Sequence, residues 1–389
     1  MERKDLVLVT GGTGFLGGHC IVGLLRRGYQ VRTTVRDLIR ASELRATIAS
    51  AVGEAANLDI VEADLGSDRG WREAVSGSRY VLHAASPFPA AQPRNADELI
   101  APARDGTLRI LRACLDAKAE RVVLTSSSAA MSYPDGGTPD PVTEQYWTNP
   151  DHSSATPYVK SKVLAERAAW DFVGSNQCKS LLTVVAPSAI LGPELNKDFS
   201  YSVQVVSRLL SGSAPVIPRL GFPFVDVRDV AELHLQAMTS EVAAGERYLG
   251  SGEFHWLEDV ASILRRSLGS AAKHVPRRRA PDFVVRLIAM VDPGLRAVAH
   301  ELGRKRIVSS EKAENTFAWS PRSFEETVLD CANSLIRVGA VLPSGSTTME
   351  VVVNKAGMFL IGLAAAASAA AAFAQSTAGS GESPSPVAR

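Results

Sequence analysis

At 389 residues the chain is longer than a single compact domain usually is, and 46% hydrophobic residues are enough for a full core. A formal charge of +1, from 42 basic and 41 acidic residues, argues against a nucleic-acid surface. The four cysteines, at 20, 114, 178 and 331, are widely spaced and form no CxxC, so they speak for buried thiols in a reducing compartment rather than a disulfide framework; no metal site is expected.

No cleavable signal precedes the first strand, which starts at about residue 6, so a cytoplasmic N-terminal domain is expected. Val7 to Thr10 read as that strand, and glycines then recur at 11, 14 and 17 before the apolar run Phe15 to Leu25. Gly11 suits a sharp turn, Gly14 a close approach of backbone to a pyrophosphate, and Gly17 tight packing of helix on sheet. The helix that follows offers free N–H groups and a partial positive charge to phosphates. Thr13, Phe15 and Leu16 are assigned to the same cradle.

A second strand, Gln30 to Val35, ends in Arg36-Asp37. An NAD site usually places a carboxylate here for the ribose hydroxyls, whereas a guanidinium suits a 2′-phosphate. Arg36, with Arg32, Arg40 and Arg45 nearby, makes NADP(H) the preferred cofactor, and Asp37 keeps NAD(H) open. Leu58 to Val61 form a third strand, followed by Asp64 for the adenine amino group and Leu65 against its ring. In a fourth strand, Tyr80 to Ala85, His83 reads as a structural histidine, and Ala84 and Ala85 let backbone pass close to a dinucleotide.

A helix over 97–117 and a fifth strand, Arg121 to Leu124, lead into Thr125 and the serines 126–128. A Pro- and Gly-rich loop occupies 134–141. The next helix opens at Tyr158, with Lys162 four residues on and so on the same face. A sixth strand, Leu181 to Val185, ends at Ala186-Pro187, and Pro187 is assigned to the cofactor site. This alternation predicts a parallel sheet covered on both faces. Beyond it, helical segments near 229–238, 257–268 and 282–291 mark an attached lobe, and a last helix starts at about Phe324.

Reduction of a carbonyl by hydride requires that charge developing on oxygen be stabilised and then protonated. Tyr158 can supply the proton, Lys162 can lower its phenol pKa and hold the ribose, and Ser127 can orient the substrate oxygen.

The sequence resembles the extended short-chain dehydrogenase/reductases of the NAD-dependent epimerase/dehydratase family, and within them the dihydroflavonol reductase, cinnamoyl-CoA reductase and bacterial aldehyde reductase group. The matching pieces are TGGTGFLG (10–17), TVRD (34–37), ADL (63–65), GTLRILRAC (106–114), VVLTSS (122–127), YVKSK (158–162), GP (192–193) and VDVRDVA (225–231). The resemblance implies a Rossmann-like doubly wound α/β domain with a smaller C-terminal substrate lobe. It also implies NADP(H) held by Gly11, Gly14, Gly17, Arg36 and Asp64, and catalysis by Ser127, Tyr158 and Lys162. Three positions depart from the family: Ser132 where the flavonoid enzymes carry asparagine, Ala186 before Pro187, and Arg109 in place of the asparagine of GTxN.

The expected organisation is therefore a dinucleotide-binding domain over 1–190, a lobe over 191–340 that partly returns to the first body, and a tail over 341–389. Loops around 86–96, 132–157 and 192–224, with Phe88, Tyr133, Tyr146, Trp147, Phe222 and Phe224, suggest an apolar or aromatic carbonyl substrate. An epimerase with tightly bound NAD and a non-enzymatic NADP-binding regulator are the rival readings; monomer and homodimer both stay open. Residues 356–374 are nineteen uncharged, largely apolar residues, long enough as a helix to span a hydrocarbon core. They read as a membrane anchor, a loosely ordered appendage, or a core or dimer helix.

Overall fold

The computed structural model describes residues 5–86, 95–196, 202–214, 216–291 and 301–341. Seven parallel strands form the main sheet: β1 (Leu6–Thr10), β2 (Gln30–Val35), β3 (Leu58–Glu62), β4 (Tyr80–His83), β5 (Arg121–Thr125), β6 (Leu182–Pro187) and β9 (Arg247–Gly250). Their spatial order is β3-β2-β1-β4-β5-β6-β9, so the winding reverses between β1 and β4. That reversal opens a crevice at the carboxyl ends of the strands. Val7, Leu8 and Val9 are fully buried, as a strand covered on both faces requires.

Two helical layers provide that cover. On one face α1 (Phe15–Arg26), α2 (Ala41–Val52) and α7 (Val227–Thr239) share a core with β1 and β2 through Ile21, Leu24, Ile48, Leu233 and Met238. On the other, α3 (Trp71–Val75), α4 (Asp97–Asp116) and α5 (Pro157–Ser175) bury Trp71, Ile110, Leu111, Ala169 and Val173 against Leu8, Val81 and Val122.

The lobe is built on a second sheet of three short strands, β10-β8-β7. In it β7 (Ala189–Leu191) runs parallel to β8 (Gly221–Asp226), and β10 (Phe254–Trp256) runs antiparallel to it. The helices α6 (Gln204–Ser211), α8 (Leu257–Ser267), α9 (Asp282–Val291) and α11 (Phe324–Arg337) contribute Val206, Leu264, Val285 and Val328 to its core. A short α10 (Glu311–Phe317) precedes α11. Residues beyond 190 are thus divided. β9, α7 and α10 serve the main sheet, whose core takes in Ala313 and Trp319. The segment 229–238, expected in the lobe, therefore belongs to the first body, and the other elements named here form the lobe.

Several local readings shift. The fourth strand ends at His83 rather than Ala85, because the Ala85 N–H leaves the ladder and donates to Thr10 Oγ1 at 3.0 Å. The sixth runs two residues further than expected, since Ala186 and Pro187 pair with Leu249 and Gly250. All four cysteines are free thiols. Among the described residues no helix is long and apolar enough to cross a membrane, and no cluster of metal-ligating side chains occurs. The apolar segment 356–374 and Phe88 lie outside the described residues.

Candidate active site

The sheet register brings the glycine turn and the serine cluster to one edge. Thr10 pairs with His83, His83 with Leu124, and Thr125 with Val185, so the four strand ends lie side by side. Gly11 takes φ +71°, and a Cβ there would sit 3.0 Å from Ala85 Cα. The glycines stack onto one another: Gly14 N–H donates to the Gly11 carbonyl at 2.9 Å, and a Cβ on Gly17 would collide with that same oxygen. Gly12, absent from the expected triplet, leaves room for Thr33 and Ile21.

The amino end of α1 has no side-chain cap and no acidic residue in its first turn. Its N–H groups are therefore available to an anion, and a glycine cradle closed to any Cβ stands in front of them. These features fit a dinucleotide pyrophosphate. Leu16 is buried, and Phe15 packs edge-on against His19 at 5.7 Å, so these two residues can serve a phosphate through backbone rather than side chain. Thr13 is half-buried in the turn.

Arg36 is exposed at the end of β2. The Asp37 carboxylate does not turn inward; it accepts from Ile39 N–H at 2.8 Å and caps a short 3-10 turn. Two of the neighbouring arginines are engaged elsewhere. Arg32 pairs with Asp59 and donates to the carbonyls of Glu73, Ala74 and Ser76, while Arg45 donates to the Ala55 carbonyl. Asp64 accepts from Gly66 N–H at 2.6 Å through one oxygen, and Leu65 packs against Gly106. Arg109, at a position the sequence leaves without explanation, donates to the Leu65 carbonyl at 2.6 Å and pairs with Asp68. It pins the loop that carries Asp64 to α4.

His83 is fully enclosed: Thr10 Oγ1 lies 2.8 Å from Nδ1, and burial pulls the ring down to about 3. It is a neutral structural group that orients Thr10, which in turn receives Ala85 N–H.

Helix α5 starts where it does because Thr156 caps it, accepting from Val159 N–H, and Pro157 occupies its first position. Tyr158 and Lys162 then fall in the first two turns, facing the end of β5. Each of the three serines has a different task. Ser126 donates to Glu166, Ser128 offers its carbonyl to Ser132, and Ser127 hydrogen-bonds Tyr158. Ser127 Oγ also accepts from Ala129 N–H at 3.2 Å, which holds its side chain in place.

Burial pushes the Tyr158 phenol up to about 12, against which the Ser127 hydrogen bond works. The expected lowering by Lys162 is not what this geometry produces. The ammonium lies 5.9 Å from the ring centroid and donates to the Thr125 carbonyl at 3.4 Å. Burial brings Lys162 itself down to about 8, and the negative charge of Glu166 opposes that fall.

Other expectations are corrected. Tyr133 is 2% exposed, donates to Glu301 and lies under Arg306, so it is core rather than pocket wall. Phe222 and Phe224 are buried in the lobe core, Phe224 stacking on Phe324. Trp147 is covered by the guanidiniums of Arg247 and Arg167. Ser132 turns its hydroxyl back to the Ser128 carbonyl at 2.7 Å, away from the role of the flavonoid enzymes' asparagine. Ala186 is fully buried in the ladder beside Pro187.

A cavity of about 670 Å³ lies elsewhere, at the amino ends of β6 and β9 between Trp147, Trp170, Lys179, Arg247 and Lys312. Open α/β sheets bind ligands at the opposite, carboxyl edge.

Residues 7–249 match the family model described as "NAD dependent epimerase/dehydratase family". The chain belongs to this family. Among curated members it is 34% identical over 283 residues to cinnamoyl-CoA reductase CAD2 of Medicago truncatula, covering 72% of this chain and 85% of that one. It is 33% identical over 296 residues to an anthocyanidin reductase of Vitis vinifera, covering 72% and 84%. Among solved structures, Gre2 of Candida albicans in complex with NADPH superimposes with a TM-score of 0.69 at 25% identity, over 86% of this chain and 99% of that one. Sequence reasoning passed over Glu166, although a glutamate four residues beyond Lys162 on one helix face is itself a signal.

Proposed function

We propose that the protein is an NADPH-dependent reductase that converts an aldehyde or ketone to the alcohol. The observation that carries this reading is the meeting of Ser127, Tyr158 and Lys162 at the same strand edge as the glycine cradle. The named activities of the relatives, both reductases, support it, as does the NADPH in the Candida neighbour.

NADPH, when bound, supplies the hydride. The N–H groups at the start of α1 hold the pyrophosphate, Asp64, through the oxygen that does not accept from Gly66, and Leu65 the adenine, and Arg36, exposed at the end of β2, the 2′-phosphate. Ala84, Ala85 and Pro187 line the path toward the catalytic edge. Ser127 orients the substrate oxygen. Tyr158, a neutral phenol at physiological pH because burial holds its pKa high, donates the proton that completes the alcohol. The Lys162 ammonium supplies positive charge beside the developing oxyanion and a donor for ribose hydroxyls. With Ser132 turned to backbone, Tyr133, Phe222 and Phe224 buried, and Tyr146 exposed, the substrate is proposed only as a carbonyl compound, aromatic aldehydes being the first class to try.

The test is a panel of aromatic and aliphatic aldehydes, ketones and nucleotide sugars, followed by NADPH absorbance with product analysis. Substrate-dependent NADPH oxidation with alcohol formed in equal amount is the expected result. Interconversion of a nucleotide sugar without net cofactor consumption, and no carbonyl reduction, would install an epimerase instead.

A further inference from the structure

Tyr158, Lys162 and Glu166 follow one another at intervals of four along α5, so their side chains run down one stripe of the helix. Glu166 is 1% exposed, and a carboxylate so far from water stays charged only when partners replace its hydration. Three do. The Ser126 hydroxyl donates to Oε2 at 2.5 Å, Arg247 Nη2 lies 2.8 Å from Oε1, and the Trp170 indole donates to Oε1 at 3.3 Å. Arg247 is itself immobilised, its guanidinium 3.8 Å over the Trp147 ring and its Nη1 donating to the carbonyls of Glu144 and Tyr146. Lys162 and Glu166 face a common cavity of about 20 Å³, with Ser126 and Thr107 on its wall.

Resting on the reductase reading above, we propose that Glu166 is a positioning residue of the catalytic site. It fixes Ser126, and with it the strand end that carries Ser127, and it supplies the negative charge that holds the Lys162 ammonium in its charged form. The surroundings leave that charge few competitors. Facing Lys162 are Tyr158 and Glu166 from its own helix, the neutral His83 from β4, and uncharged hydroxyls from β5 and α4. Facing the Glu166–Arg247 pair are Glu144 and Arg167. A purely structural pin between α5 and β9 would need the same contacts, but it would not tie the protonation of Lys162 to the charge on Glu166.

The decisive variant is Glu166→Gln, which keeps the shape and the oxygen that accepts from Trp170 and faces Arg247, turns the atom facing Ser126 into a donor to that hydroxyl, and deletes the charge. Lys162 is titrated directly by the ¹³Cε chemical shift of selectively lysine-labelled protein across pH 6 to 11, its resonance assigned by its loss in Lys162→Arg. Its midpoint is expected to fall by about one pH unit, and the alkaline limb of kcat to move the same way, with KM changed less. Glu166→Asp keeps the charge but shortens the reach to Ser126; it should restore most of the midpoint while turnover stays reduced. An unchanged Lys162 midpoint in folded Glu166→Gln overturns the proposal. Should that variant not fold, Glu166→Asp with the turnover of the unaltered chain overturns it. Failure of the unaltered chain to oxidise NADPH with any carbonyl would end the reductase reading, while the Lys162 midpoint would still decide the role of Glu166.

Discussion

Tyr158→Phe removes one oxygen from a buried ring and leaves its packing intact. NADPH binding, followed by cofactor fluorescence, should therefore survive while turnover falls by roughly 10²–10⁴-fold. Retention of more than a tenth of the activity would assign the proton to another group. Arg36→Ala should raise the KM for NADPH far more than that for NADH, because only NADPH carries the 2′-phosphate that a guanidinium at the end of β2 would pair with; equal losses with both coenzymes would remove Arg36 from the site. The meeting of Ser127, Tyr158 and Lys162, the proposed catalytic trio, was legible because their spacing lies within one helix and one strand end. The tasks of Glu166 and Arg109 were not, since each depends on a partner from another element, Arg247 on β9 and Asp68 in the loop after β3. The aromatic residues misled for a related reason: a large ring in a loop looks the same in sequence whether it lines a pocket or closes a core, as Tyr133 does.

Among the elements, the turn from β1 into α1 tolerates least. In Gly17→Ala the new methyl meets the Gly11 carbonyl oxygen, a backbone atom that cannot move without breaking the Gly14 hydrogen bond. Thermal stability should drop by about 2 kcal/mol or more, with NADPH binding lost; a variant that binds normally would show the cradle to be looser than drawn. Arg109→Asn, which restores the family's residue, frees the loop over 65–68 from α4. The KM for NADPH should rise several-fold with kcat little altered, and no change would make Arg109 a surface residue only. The first six parallel strands were readable as short apolar runs, but β9 was not, because it has four residues, RYLG, and opens on an arginine. The lobe's strands were not: β7 and β10 have three residues each, and β8 contains Pro223, a residue that argues against a strand until its neighbours are known. Helix α2, with only Leu44 and Ile48 buried, carries too narrow an apolar stripe to stand out.

At the scale of the whole molecule, burial pulls His83 down to about 3 and His19 and His234 to about 4. All three are neutral when folded and take up protons near pH 6.5 when unfolded, so the stability they contribute is complete above pH 6.5 and is lost as pH falls toward 4. Asp229, raised by burial to about 6, works in the opposite sense over part of that range. The melting temperature should fall by at least ~5 °C between pH 7 and 4.5. His234→Gln should flatten that slope, and an unchanged slope would exonerate the histidine. The 670 Å³ hollow beneath β6 and β9 has a practical consequence for inhibitor discovery. A campaign that docks compounds into this hollow will enrich for ligands of the wrong end of the sheet. Hits there should raise neither the apparent KM for the coenzyme nor that for the carbonyl compound, and fragment soaking judged by occupancy without kinetics would mistake a decoy for the active centre.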